Sequence, residues 1–168
     1  MPYTGSKAFA GRGSSLELGS GSPTPTFTAI AELRKISRGG SKADIADVTN
    51  MESGNYRESL PTLLTPGEIS FEGNYIPSDA TQASLQTQCD NQTLSPWQII
   101  LPPTGSPPTS QGGWSFNAYV TALDIPELQV DKEATIAGKL TITGKPAYSA
   151  TLTGSLAANE APAEKQAA

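Results

Sequence analysis

The apolar residues of this chain recur at every second position over much of its length. Phe27, Ala29, Ala31 and Leu33 fall on one side of an extended segment, with Thr28, Glu32 and Arg34 on the other. Ile69, Phe71, Gly73 and Tyr75 alternate with Glu68, Ser70, Glu72 and Asn74, and Trp97, Ile99 and Leu101 form a third run that stops at Pro102-Pro103. The clearest alternation sets Trp114, Phe116, Ala118, Val120 and Ala122 against Ser115, Asn117, Tyr119 and Thr121. A fifth sets Ala134, Ile136, Gly138, Leu140 and Ile142 against Thr135, Lys139, Thr141 and Thr143. Successive side chains of a strand point to opposite faces, so a period of two predicts half-buried strands with one face on a core. One segment breaks the rule. Around Asp79 to Cys89 a short helix is predicted: Ser78 stands where a cap belongs, Asp79 brings negative charge to the helix start, and Leu85 and Cys89 lie four apart on one face.

Three stretches lie outside this pattern. Residues 1–26 carry Gly, Ser and Pro at almost every other position, which reads as a flexible arm with one short strand at Ser15 to Leu18. Residues 37–60 are too long and too charged for a hairpin turn and read as a long irregular loop, of the kind that is functional or disordered in a compact domain. Residues 151–168 form a tail that, from Ala157 onward, has no aromatic or large aliphatic residue to bury. The expected organisation is therefore one mainly β domain over 27–150, carrying the loop and the helix at about 79–89, between two extensions. The arm and the loop are expected to order on assembly, so that deleting 1–22 or replacing 38–58 leaves soluble monomers.

Composition narrows the class. The 168 residues (17.5 kDa) include 16 Gly, 14 Pro, 18 Ser and 18 Thr, with 36% hydrophobic residues and a net charge of −5. That length suits one domain, burying roughly 70% of its unfolded surface. Disordered chains combine low hydrophobicity with high net charge, and the ordered alternation here argues against that class. No residue is His, which removes the usual general base and the commonest metal ligand. The single cysteine, Cys89, has no internal disulfide partner and no neighbouring base, and reads as a core thiol in a protein folded in the cytosol. The first residues lack the apolar core of a signal peptide, and no stretch approaches the ~20 apolar residues of a membrane span. The Asn91-Gln92-Thr93 sequon is accordingly expected to go unused.

Candidate chemistry is sparse. Gly144-Lys145 suggests a phosphate loop, but Pro146 occupies the Ser/Thr position and a turn is the better reading. Asp44 with Asp47, and Glu68 with Glu72, are carboxylate pairs, yet the latter share the polar face of one strand, which ordinarily means a solvated surface. Tyr56, Tyr119 and Tyr148 are read as packing at interfaces rather than as a sugar platform. The 11 basic residues are outnumbered by 16 acidic ones, so a surface that grips nucleic acid is not expected. No catalytic, cofactor or metal site is expected, and none of the usual sets for an enzyme is present.

The order of segments is more informative than any one motif. FTAIAELRKIS, ADVTNMESGNYRESLP, GEISFEGNYIPSDATQ, GWSFNAYVTAL and ATIAGKLTITGKP together resemble the major tail tube proteins of long, flexible-tailed, lambda-like bacteriophages over about residues 8–148. Asp47, Val48 and Thr49 match that family's DVT block. Tyr56, Arg57 and Glu58 match its YRE block, Phe71 to Asn74 its FEGN strand, and Gly144 to Pro146 its closing GKP. The chain departs from the family at Ala46, where a larger apolar residue is usual, and in its Pro-rich insert LPPTGSPPTSQGG.

The resemblance implies a mainly β, tail-tube β-sandwich or barrel with one flanking helix, closing into hexameric rings that stack into the virion tail. It implies no enzyme activity and no cofactor. Implied partners are further copies of the chain, the tape-measure, tail-terminator and baseplate or tip proteins, and DNA passing through the lumen without specific binding. No membrane is involved, assembly is expected in the host bacterial cytoplasm, and the decoration domain of some relatives is expected to be absent. Within that picture the charges of the long loop, Arg38, Lys42, Asp44, Asp47, Glu52, Arg57 and Glu58 together with Tyr56, are the candidate inter-subunit contacts. Glu32, Glu68 and Glu72, on polar strand faces, are the candidate lumen charges. The rival readings are a type VI secretion-like tube subunit, which would share the ring, and a secreted β-sandwich binding module, which would need an export route.

Overall fold

A computed structural model describes residues 11–102, 111–124 and 132–152. Most of the Pro-rich insert, the first ten residues of the arm and the tail from residue 153 lie outside the described residues. In chain order the elements are β1 (Ser15–Ser20), β2 (Thr26–Ala29), β3 (Leu33–Arg38), β4 (Lys42–Asp47), β5 (Ser59–Thr65), β6 (Glu68–Asn74), α1 (Ala80–Asn91), β7 (Ser95–Ile100), β8 (Gln111–Asp124) and β9 (Thr135–Leu152). Seven strands form one antiparallel sheet in the order β2-β1-β7-β8-β9-β6-β3, while β4 and β5 form a separate pair.

The connectivity forces this sheet to curl. β2 and β3 lie at its opposite edges, yet only Ile30, Ala31 and Glu32 join them. Seven flat strands would span roughly 29 Å at about 4.8 Å per step. A link of three residues spans at most about 14 Å. The sheet therefore wraps into a partly closed barrel that brings its edges together, and Ile30, whose N–H donates to the Leu16 carbonyl at 3.0 Å, turns its side chain into the interior.

One core fills that interior. Leu16 and Leu18 of β1, Trp97 and Ile99 of β7, Phe116, Ala118 and Val120 of β8, Ile136, Leu140 and Ile142 of β9, and Ile69 and Phe71 of β6 are all buried in a single cluster. The predicted alternation of these last four strands is what places them there. Phe71 lies across from Gly138, and a Cβ at that glycine would stand 2.6 Å from the Phe71 ring, so the missing side chain makes room for the aromatic one. Helix α1 closes the barrel with Leu85, and its Gln82 is a buried junction. The Gln82 side chain accepts from the Ile76 N–H at 2.8 Å and donates to the carbonyls of Asn74 at 2.9 Å and Ala31 at 3.3 Å. Backbone groups freed by the β2–β3 link and by the end of β6 thereby find a partner.

Several expectations need correction. The helix is capped by Asp79, whose carboxylate accepts from the Gln82 N–H at 2.7 Å, and not by Ser78. The predicted strand over 27–34 is two strands, because Glu32 adopts a left-handed φ of 51° that no strand continues through. Residues 15–26 are not a flexible arm: β1 lies between β2 and β7, and burying Leu16 and Leu18 contributes about 1.5–3 kcal/mol per side chain. Deleting 1–22 would remove part of the core, so it would unfold the domain instead of leaving a soluble monomer. The segment 37–60 is not an irregular loop, since it contains the end of β3, all of β4 and the start of β5.

Candidate assembly surface

Beyond Arg38 the chain leaves the barrel, runs out along β4 and returns along β5. The pairing is antiparallel, with Lys42 opposite Thr65, Ala43 opposite Leu64 and Asp47 opposite Ser59. A bulge between Ala43 and Ile45 adds twist, and the Thr62 hydroxyl donates to the Asp44 carbonyl at 3.1 Å beside it. β4 and β5 contact each other extensively and no other element to any comparable degree. The result is a hairpin arm standing off the domain.

Side-chain hydrogen bonds hold its tip. Asp47 Oδ1 accepts from the Thr49 N–H at 2.9 Å and from the Thr49 hydroxyl, while that hydroxyl oxygen accepts from the Glu58 N–H at 3.0 Å. Val48 N–H donates to the Glu58 carbonyl at 3.0 Å. The Asp47-Val48-Thr49 block is thus an Asx-type closure that ties the outgoing strand to the returning one. Farther out, Asn50 accepts from the Glu52 N–H at 2.8 Å and Ser53 Oγ accepts from the Asn50 N–H at 2.9 Å. The hydrogen bond from the Thr49 hydroxyl, then that from its N–H, holds the Asp47 carboxyl below its ordinary pKa of 3.8.

Its surface is apolar as well as charged. Ile45 (69% exposed), Leu63 (76%) and Leu64 (72%) are open to solvent, as are Val48, Leu60, Met51 and Tyr56. Lys42, Asp44, Asp47, Glu52, Arg57 and Glu58 share this arm and none is in an ion pair among the described residues, where the pair present is Arg34–Glu133. The aliphatic side chains are what sequence reading missed. Their signal was the run Leu60-Pro61-Thr62-Leu63-Leu64, apolar without the alternation of a half-buried strand.

Arg38 is placed differently from the other seven loop candidates. It pairs with Ile69 at the inner end of β3 and stacks on Trp114, its guanidinium carbon 5.3 Å from the ring centroid. Trp114 in turn lies 5.3 Å from the Tyr148 ring. Arg38 therefore belongs to the barrel mouth, beside a cleft of about 370 Å³ lined by Lys35, Ile36, Ile99 and Leu101.

The three lumen candidates also separate. Glu68 and Glu72 project from the outer face of β6, with Ser70 between them. Across the ladders Glu72 pairs with Lys35, Ser70 with Lys139, and Glu68 with Thr141, whose hydroxyl lies 3.1 Å from that of Thr121. This face of β3, β6, β9 and β8 is rich in hydroxyls, with both signs of charge interleaved. Glu32 is not on a strand face; it sits in the β2–β3 turn and accepts from the Asn74 amide at 2.8 Å.

A sequence model of the family described as phage tail tube protein matches residues 8–148, which takes in the helix, the hairpin and all of the barrel but the end of β9. This chain belongs to the phage tail tube protein family. The fold agrees. A chain from the virion of a native gene transfer agent particle superposes with a TM-score of 0.65 at 21% identity, covering 85% of this chain and 100% of that one. A chain from the tail of an empty particle of that agent, with C6 symmetry, gives 0.65 at 23% identity over 85% and 100%. The SPP1 tail tube gives 0.65 at 12% identity over 87% and 81%. No curated protein sequence matches the chain. The tube protein is a structural subunit of the virion tail, mainly β with one helix among the described residues, and its family is a structural one. No helix among the described residues is long and apolar enough to cross a membrane.

Proposed function

We propose that the tube protein closes into six-membered rings, that the rings stack, and that the β4–β5 hairpin of each subunit crosses to a neighbouring copy to hold them together. The observation that carries this reading is the hairpin: an arm held by its own hydrogen bonds, with several large apolar side chains exposed and no partner element among the described residues of its own subunit. Exposed apolar clusters of this kind mark interaction sites. A ring needs a head-to-tail contact that closes by rotation, and stacking needs a second, axial contact. The C6 symmetry of the gene transfer agent tail supports the number six.

On this reading the outer face of β8, β9, β6 and β3 lines the channel. Its serines, threonines and paired charges offer DNA no cluster of cations, and Glu68 and Glu72 repel phosphate. The subunit carries no chemical step; the tape-measure protein and then the genome pass through. Its partners at the ends are tail-terminator and baseplate or tip proteins, and assembly takes place in the host cytoplasm. Electron microscopy of the purified protein tests the proposal. Stacked rings with a central hole support it, and isolated globules at high concentration count against it. For the channel wall, charge reversal at Glu68 and Glu72 should leave tubes intact and slow genome ejection; unchanged ejection would remove that assignment.

A further inference from the structure

The hairpin joins the barrel through a neck made of glycines. Gly39 and Gly40 lead out of β3, and Pro66 and Gly67 lead back into β6. The two passing chains touch backbone to backbone: Gly39 N–H donates to the Glu68 carbonyl at 2.7 Å. A Cβ at Gly67 would collide with the Gly39 carbonyl, standing 2.5 Å from its carbon, and would lie 2.9 Å from the Gly40 oxygen. A Cβ at Gly39 would meet the Glu68 backbone at 3.2 and 3.4 Å. Neither glycine has a positive φ, so what each supplies is space. Gly40, one residue away, has nothing within 4 Å of its Cβ position.

We infer that the Gly39–Gly67 crossing is the joint that aims the assembly hairpin, and that Gly67 is a positioning residue for tube formation. This rests on the reading of the hairpin as the inter-subunit arm. Geometry supplies the leverage. Relieving a methyl group at position 67 takes roughly 1 Å of extra separation at the neck, because the obstacle is backbone and cannot rotate away. Across a strand spacing of about 4.8 Å, that is a tilt of about 12°, and along seven residues at about 3.3 Å each it moves the far end by about 5 Å. Such a displacement exceeds what packed apolar side chains accommodate. The barrel core does not include the neck, so the fold is left in place while the arm points elsewhere.

The experiment compares Gly67→Ala, Gly39→Ala and Gly40→Ala with the double variant Leu63→Ser/Leu64→Ser, all in the full chain. Circular dichroism and thermal melting follow the monomer, and helical reconstruction from electron micrographs gives rise and twist. Gly67→Ala should melt within about 3 °C of the wild type and lose tube formation, or form tubes of altered rise or twist. Gly39→Ala should show the same shift to a lesser degree, and Gly40→Ala should form wild-type tubes. Wild-type rise and twist for Gly67→Ala, or equal impairment in Gly40→Ala, overturns the inference. Should Gly67→Ala lose its fold, Gly39→Ala decides, and wild-type tubes from it overturn the inference. If the Leu63/Leu64 variant builds normal tubes, the hairpin reading itself fails, whatever the neck variants do.

Discussion

β6 and β5 are strands of equal length, seven residues each, and they follow one another in the chain. In β6 every second residue up to Gly73 is buried. In β5 every residue is exposed, although three of the seven are leucine. The difference is not propensity but company. β6 is paired on both sides and has a core beneath it, while β5 has one partner strand and open solvent on its faces. Within one subunit, β6 is held by its surroundings, whereas the hairpin is held by its ladder and by the bonds at its tip. On the proposed reading the molecule keeps its stability and its means of association in separate places, which predicts that they can be broken separately.

Trp97→Ala should have the largest effect on the monomer. Trp97 is fully buried at the centre of the barrel, and its removal costs about 3–5 kcal/mol, read as a large fall in denaturation midpoint. Gln82→Ala follows. It strands the Ile76 N–H and frees the Asn74 and Ala31 carbonyls, at a cost of about 1–3 kcal/mol, measurable as a lower melting temperature with an unchanged fold by circular dichroism. Leu63→Ser/Leu64→Ser lies on the other side of the comparison: the monomer's stability should change by no more than about 0.5 kcal/mol while sedimentation shows the loss of tubes. A melting temperature that falls as far as in the core variants would erase the distinction between the two regions.

The smallest effect is expected at the tip. The Asp47 carboxyl titrates below 3.8 in the folded chain because the Thr49 hydroxyl and N–H favour its ionised form. A depressed pKa means that its contribution is present above the unfolded value and is lost as pH falls through the folded value. Amide exchange at Thr49 should therefore quicken in strong acid before that of the barrel strands, and Thr49→Ala should quicken it already at neutral pH. Protection at Thr49 that survives in the variant would show that the tip is held by something else.

How much of this was legible in the sequence depends on what each pattern had to work with. Alternation located β6, β7, β8 and β9, because there one face meets the core and the other meets polar surroundings. For β1 it gave only a short strand, Ser15 to Leu18, within a flexible arm, because Leu16 and Leu18 flank Glu17 among glycines and serines. Glu17 is itself buried, accepting from Ser15 Oγ at 3.0 Å and from Gln98 Nε2 at 2.6 Å, a partner 81 positions away that no local window contains. It failed for the hairpin for the opposite reason: with no core beneath it, neither strand has an inside to mark. The charged residues drew notice to this segment, but the exposed leucines beside them carry the argument for association. Arg38 could not have been separated from its loop neighbours without the Trp114 ring that receives it.

One feature of the topology bears on how the subunit comes into being. β9, the last strand of the described chain, lies in the middle of the sheet between β8 and β6. Nothing made earlier can take its place, so the barrel has to wait until residues near 152 have left the ribosome. At about 5–20 residues per second, the apolar hairpin is in existence several seconds before the domain that carries it. During that interval newly made chains present sticky arms without a folded body to position them. The tip bonds formed by Asp47 and Thr49 span few residues and are available from the start. They depend on no strand of the barrel, so the closure of the tip does not have to wait for β9.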